Sequence, residues 1–94
     1  MTLGDTLYDL GDTIGWDHCD YAREQDGSLY GITDGSVTVS LALGGDTLYW
    51  DTAVSTVYGL DPIDQGQCLA SEAVDVLLSA WEQAHAIAAS EAEG

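Results

Sequence analysis

The chain has 94 residues, enough for one domain with a modest core, and sets 17 acidic residues against a single basic one, Arg23, for a formal net charge of −16. That balance excludes direct contact with nucleic acid or an anionic membrane surface, since both depend on cations meeting phosphates. A disordered acidic tail is excluded too, because 46% of the residues are hydrophobic and the acids run from Asp5 to Glu93 without forming a block.

Self-repulsion at this charge density opposes compaction in dilute buffer. At molar salt the Debye length falls to about 3 Å and most of that repulsion disappears. The absence of Lys, the wealth of Asp and Glu, and the enrichment in Ala, Gly, Thr and Val resemble the composition of proteins from salt-in halophilic archaea. This is a resemblance of composition and not of family. It implies a protein of the cytoplasm of a high-salt host, or of a virus particle assembled there, with hydrated monovalent cations at its surface. A mimic of the nucleic-acid phosphate array would gain from carboxylates gathered on one face, whereas these recur along the whole chain. No basic, apolar leader opens the sequence and no run approaches the 18 or so apolar residues of a membrane span, so neither a signal peptide nor a span is expected. Cys19 and Cys68 lack CxxC spacing; buried free thiols are expected, with a disulfide between them left open.

Leu3, Leu7, Leu10 and Ile14 share one helical face, and Thr2 with Asp5 resembles a capping box. Gly4, Gly11 and Gly15 oppose a continuous helix at about 1 kcal/mol each. A short helix over Leu3–Leu10 that stops at Gly11 is therefore expected, with Trp16 opening the sheet. The segments GDTL (Gly4–Leu7), GDTIGWD (Gly11–Asp17) and GDTLYWD (Gly45–Asp51) resemble fragments of the calcium-binding nonapeptide repeats of RTX toxins. They lack the tandem period of nine and the GGxGxD turns of those repeats, so each reads as a turn leading into regular structure.

Three dipeptides divide the next stretch: Asp26-Gly27, Asp34-Gly35 and Gly44-Gly45. Read as type I′ hairpin turns, they predict strands Asp20–Gln25, Ser28–Thr33, Ser36–Leu43 and Asp46–Thr52. The registers pair Tyr21 with Ile32, Arg23 with Tyr30, Ile32 with Val37, Tyr30 with Val39, Leu41 with Leu48 and Val39 with Trp50. All three agree in placing Tyr21, Tyr30, Ile32, Val37, Val39, Leu41, Leu48 and Trp50 on one face. Arg23 is expected to lie on the Tyr30 ring as an edge guanidinium. Ala53–Tyr58 extends the fourth strand or forms a short one of its own.

Asp61-Pro62 reads as a helix start, with Asp as N-cap and Pro at the first position. Gly66 then bends the chain into the main helix, Leu69–Ala89. Ala70, Ala73, Val74, Leu77, Leu78, Ala80, Trp81, Ala84 and Ala88 line one side of that helix. Val76 and Ile87 widen the apolar arc to roughly 200°, beyond the roughly 100° that core packing needs.

Chemistry is sparse. His18, Cys19, Cys68 and His85 are zinc-ligand types, but Cys68 and His85 would stand about 25 Å apart along a helix, too far to share an ion. His85 falls on the apolar arc without a designated partner. No nucleophile elbow, P-loop or dinucleotide fingerprint is present. Pairs such as Asp17 with Asp20, or Asp61 with Asp64, suit hydrated cations and not a cofactor.

The expectation is an α+β domain over residues 1–94: a four-stranded antiparallel meander with a long C-terminal helix packed on one face, preceded by a short N-terminal helix. No catalytic residue, cofactor or metal is assigned. The function expected is a non-enzymatic structural or interaction module, a small building block of a larger assembly in a halophilic archaeon or of a virion infecting one (head, neck or tail). Protein partners or self-association would use Trp16, Tyr58, Val76 and Ile87. The alternatives are an acidic DNA mimic that inhibits a nucleic-acid-binding protein, and a small enzyme or ligand-binding domain using His85 or Cys68.

Overall fold

The structure, a computed structural model, describes residues 3–93, of which 91–93 are described by backbone alone. Helix α1 (Leu3–Ile14) is followed by strands β1 (Asp20–Arg23), β2 (Leu29–Thr33), β3 (Val37–Gly44), β4 (Thr47–Thr56) and β5 (Gly59–Leu69). A 3₁₀ turn at Ala70–Glu72 then leads into α2 (Ala73–Glu93). The strands form one antiparallel sheet in the order β1-β2-β3-β4-β5. The α+β meander under a long C-terminal helix is therefore present, with five strands where four were expected.

The extra strand is the segment read as a helix start. Asp61-Pro62 lies in β5, paired with Val54 and Ala53 of β4, and the register slips between Thr52 and Ala53. β5 is an edge strand, and an edge tolerates proline because one side of its backbone faces no ladder. The main helix consequently begins near Ala73 and not Leu69.

The N-terminal helix also departs from expectation. It runs through Gly11 to Ile14, because Gly11 is buried beneath the Trp16 indole: a Cβ there would stand 2.2 Å from the ring. Gly11 is a contact surface and not a stop. The stop is Gly15, at φ +107, whose N–H still donates to the Gly11 carbonyl (2.8 Å). Trp16 turns back onto α1 between Tyr8 (6.0 Å) and Tyr21 (4.8 Å) before the sheet begins. The capping box involving Thr2 lies outside the described residues.

None of the three turns is type I′, since the first residue of each dipeptide, Asp26, Asp34 or Gly44, lacks the positive φ that this turn needs. Asp26 Oδ1 instead accepts the Ser28 N–H (2.9 Å), and Asp34 Oδ1 accepts those of Ser36 (2.8 Å) and Val37 (2.9 Å). These side-chain bonds build longer loops. Ile32 therefore faces Val39; at the third turn the loop is still two residues but moves to Gly45-Asp46, with Gly45 at φ +67, so Leu43 faces Leu48. Both registers differ from the expected ones by two residues. A bulge after Ala22 sets Arg23 against Leu29 instead of Tyr30, and its guanidinium lies 5.7 Å from the Tyr21 ring while Nη1 donates to the Gly27 carbonyl.

A slip of two leaves every side chain on its original face. Ile32, Val37, Val39 and Leu48 are fully buried, and Leu41 nearly so, against Leu7 and Leu10 of α1 and Ala73, Leu77, Trp81 and Ala84 of α2. On β2, Gly31 is required by proximity: a Cβ there would lie 2.0 Å from the Val39 carbonyl oxygen, which belongs to backbone and cannot swing away. Gly31→Ala is expected to cost about 3 kcal/mol, the top of the usual range for a point mutation, read by urea unfolding in molar KCl.

Every Asp and Glu whose side chain is described sits at an exposed position, on both helices, on strands and on loops. Among the described residues no helix is long and apolar enough to cross a membrane.

Candidate functional site

Two features stand out from the core and the acidic coat. The first is a charged node where the β2–β3 loop meets α2. His85 Nε2 lies 2.5 Å from Asp34 Oδ2, and His85 Nδ1 lies 2.9 Å from the carbonyl oxygen of Trp81, one turn earlier on the helix. A carbonyl and an ionised carboxylate only accept, so both contacts are satisfied when both ring nitrogens carry protons. The node therefore fits the imidazolium. Burial works against that charge, but the bonds to Asp34 and to the Trp81 carbonyl, with the field of the carboxylate, outweigh it and raise the His85 pKa above 6.5. Burial likewise opposes ionisation of Asp34, yet the His85 bond, the Val37 and Ser36 amides and the imidazolium charge hold its pKa below 3.8.

The sign of the pH effect follows. A raised histidine pKa contributes stability that is complete below the unfolded value and is lost as pH rises through the folded one. A lowered aspartate pKa contributes stability present above its unfolded value and lost as pH falls through the folded one. The pair is thus fully formed between about pH 4 and 6.5 and weakens above, through the raised His85 pKa. Its side chains remain partly in water, so the contribution is about 1 kcal/mol or less. His85→Gln should abolish the alkaline fall in melting temperature that this pair causes. An unchanged fall in the variant would place its origin elsewhere.

The node offers little for catalysis. Both His85 nitrogens are engaged, and the nearby thiol is poorly nucleophilic: burial, then the negative charges of Asp20 and Asp34, push the Cys19 pKa up. Its Sγ–H points at the Gly15 carbonyl (3.5 Å). Cys68, on β5 opposite Leu48, is also pushed up, by burial and by Glu72, and both thiols are free. His18 is exposed. Among the described residues no group of three or more His, Cys, Asp or Glu is placed to hold a metal.

The second feature is apolar. Beyond Val37 with Val54, the Ser55 N–H still donates to the Ser36 carbonyl (2.8 Å), and β4 and β5 then run one pair further, Thr56 with Gly59, to a turn whose tip is Val57-Tyr58. Val57 is 93% exposed and Tyr58 97%. The tip is nonetheless ordered: the Tyr58 N–H donates to Thr56 Oγ1 (3.1 Å), that hydroxyl donates to the Gly59 carbonyl (2.9 Å), and Gly59 takes φ +118. Leu60 below it is also exposed.

The four residues expected to form an interface do not form one patch. Trp16 is half-buried against α1 and β1, Tyr58 stands at the hairpin tip, and Val76 and Ile87 are half-buried on α2. Val76 lines a groove of about 460 Å³ between α2 and the β4–β5 edge, with Trp50 and Ala80. Reading the residues one by one finds Tyr58, because it is aromatic beside a turn glycine. The Asp34–His85 pair has no local signal, since its partners are 51 positions apart. No family model matches the chain, and neither does any curated protein or solved structure.

Proposed function

We propose that this protein is a non-enzymatic structural and interaction module adapted to high salt, a small building block of a larger assembly in a halophilic archaeon or of a virion that infects one. The observation that carries this reading is the β4–β5 hairpin tip, where two large apolar side chains stand almost wholly in water on an ordered turn. A soluble chain with one basic residue and 17 acids has no solvation reason to hold Val57 and Tyr58 there. Ordered aromatic anchors of this kind dominate binding energy when they enter a partner's pocket.

The spread of carboxylates over every part of the surface supports solvation more than imitation of a phosphate ladder. The engagement of both His85 nitrogens supports a structural histidine more than a catalytic one. The test is to isolate the protein from its native source in molar KCl and measure the mass of the particle. A complex larger than 9.9 kDa that holds this chain at fixed stoichiometry is expected; a monomer alone would refute the proposal.

A further inference from the structure

The two free edges of the sheet carry the same device. We infer that Asp20 on β1 and Asp64 on β5 each close an edge to strand addition, by holding with their own carboxylate the N–H that an incoming strand would use. β1 and β5 are the outer strands, each paired on one side. In an antiparallel ladder successive residues bond alternately to one neighbour and the other, which fixes the donors that face outwards. The Ser55 N–H donates to the Ser36 carbonyl, so on β4 Ala53 and Asp51 also bond to β3, while Thr52 and Trp50 bond to β5. Gln65, opposite Asp51, therefore points its N–H at the free edge. The same alternation, carried across β3 and β2, bonds Ile32 to Val39 and leaves the N–H of Tyr21, opposite Ile32, at the other edge. Each of these two donors is taken by the residue before it: the Tyr21 N–H donates to Asp20 Oδ1 (2.7 Å) and the Gln65 N–H to Asp64 Oδ1 (2.8 Å). Pro62, opposite Ala53, fills another outward position of β5 and has no N–H to offer. Pro62 and Gln65 thus divide that edge between Leu60 and Gln67.

The composition explains why acids do this here. Exposed edges are commonly guarded by lysine, and this chain has none. Repulsion between acidic edges does not replace it, because molar salt confines that repulsion to about 3 Å. A carboxylate in direct contact with an N–H acts within that range, and a hydrogen bond to an ionised acceptor is stronger than a neutral one. A docking strand must displace the carboxylate, or else bring its own carbonyl oxygen up against it. Either costs more than pairing with an empty edge, where the N–H is exchanged from water to the new strand.

Sedimentation in molar KCl over a concentration series compares wild type with three double variants, all at exposed positions. Asp20→Ala/Asp64→Ala frees both edge donors. Asp20→Asn/Asp64→Asn removes the same charge but keeps an acceptor oxygen beside each N–H. Asp51→Ala/Asp61→Ala removes the same charge from the same sheet and frees no outward donor, since Asp51 lies on an inner strand and Asp61 bonds to Val54. Circular dichroism checks folding. The Asp20→Ala/Asp64→Ala variant should associate about 10-fold or more tightly than wild type, and the other two should behave as wild type does. No gain in that variant overturns the inference. An equal gain in either of the others places the effect in net charge and overturns it as well. A second measurement needs no variant: corrected for intrinsic rate, the Tyr21 and Gln65 amides of the wild type should exchange hydrogen several-fold more slowly than that of Gln67, which also points outwards from β5. Equal rates at the three positions overturn the inference even if a variant does not fold.

Discussion

Moved from molar KCl to about 0.1 M KCl, the protein is expected to lose about 3 kcal/mol of stability. Two unit charges 10 Å apart in water interact with about 0.4 kcal/mol before screening. A Debye length of about 3 Å reduces that almost to zero, whereas one of about 10 Å leaves roughly 0.15 kcal/mol. If each of the 17 acids has about three neighbours at that distance, the folded state regains repulsion of about 3 kcal/mol, most of which an expanded chain avoids. The described acids are all exposed and found on every part of the fold, and one arginine cannot neutralise them. Against a total of about 5–15 kcal/mol this is a large share. At about 4–8 °C per kcal/mol for a chain of this length, the melting temperature should fall by about 12–24 °C. The measurement is circular dichroism melting across a KCl series at constant pH. An unchanged melting temperature at 0.1 M would refute the salt adaptation on which the functional proposal leans.

Trp81→Ala is expected to cost about 3–5 kcal/mol, as truncation of a buried large aromatic does when its surroundings cannot close the gap. The surroundings here are built so that they cannot. On the same face of α2, Ala73, Ala80 and Ala84 are small and almost fully buried, which lets the helix sit close to the sheet. Trp81, 7% exposed, supplies the bulk between them. It packs in one cluster with Leu77, the sheet residues and Leu7 and Leu10 of α1, so its loss opens the junction of both helices and the sheet. Its ring also lies 4.6 Å from that of His85, and the variant should loosen the Asp34 pair as well. Urea unfolding at fixed molar KCl measures the loss without changing the ionic strength. A cost under about 1 kcal/mol would mean that this ring does not bridge helix and sheet.

The burial of Trp81 was legible before any coordinates, because apolar residues at a period of 3.6 have only one way to leave water together. The sheet face was legible for a related reason. Two of the three expected registers were wrong by two residues, and the face survived because side chains alternate with a period of two. Gly11 and Asp61-Pro62 show where local reading fails. A glycine that ends a helix and a glycine that admits an indole look alike until Trp16 is seen to fold back. A proline that opens a helix and a proline on a sheet edge differ only in what lies beside them. The Asp34–His85 pair and the joining of Val76 with Trp50 in one groove were not legible at all, since neither has a local signature.

By itself, the order of residues determined the acidic surface, the antiparallel meander and the buried stripe of the long helix, because charge and periodicity act over a few neighbouring positions. The tertiary structure alone decided that a fifth strand forms the edge, that the last hairpin ends with Val57 and Tyr58 in water, and that His85 meets a carboxylate across the fold. Each of these depends on which distant segments come to rest together. Packing of the whole chain sets that, and no local preference encodes it.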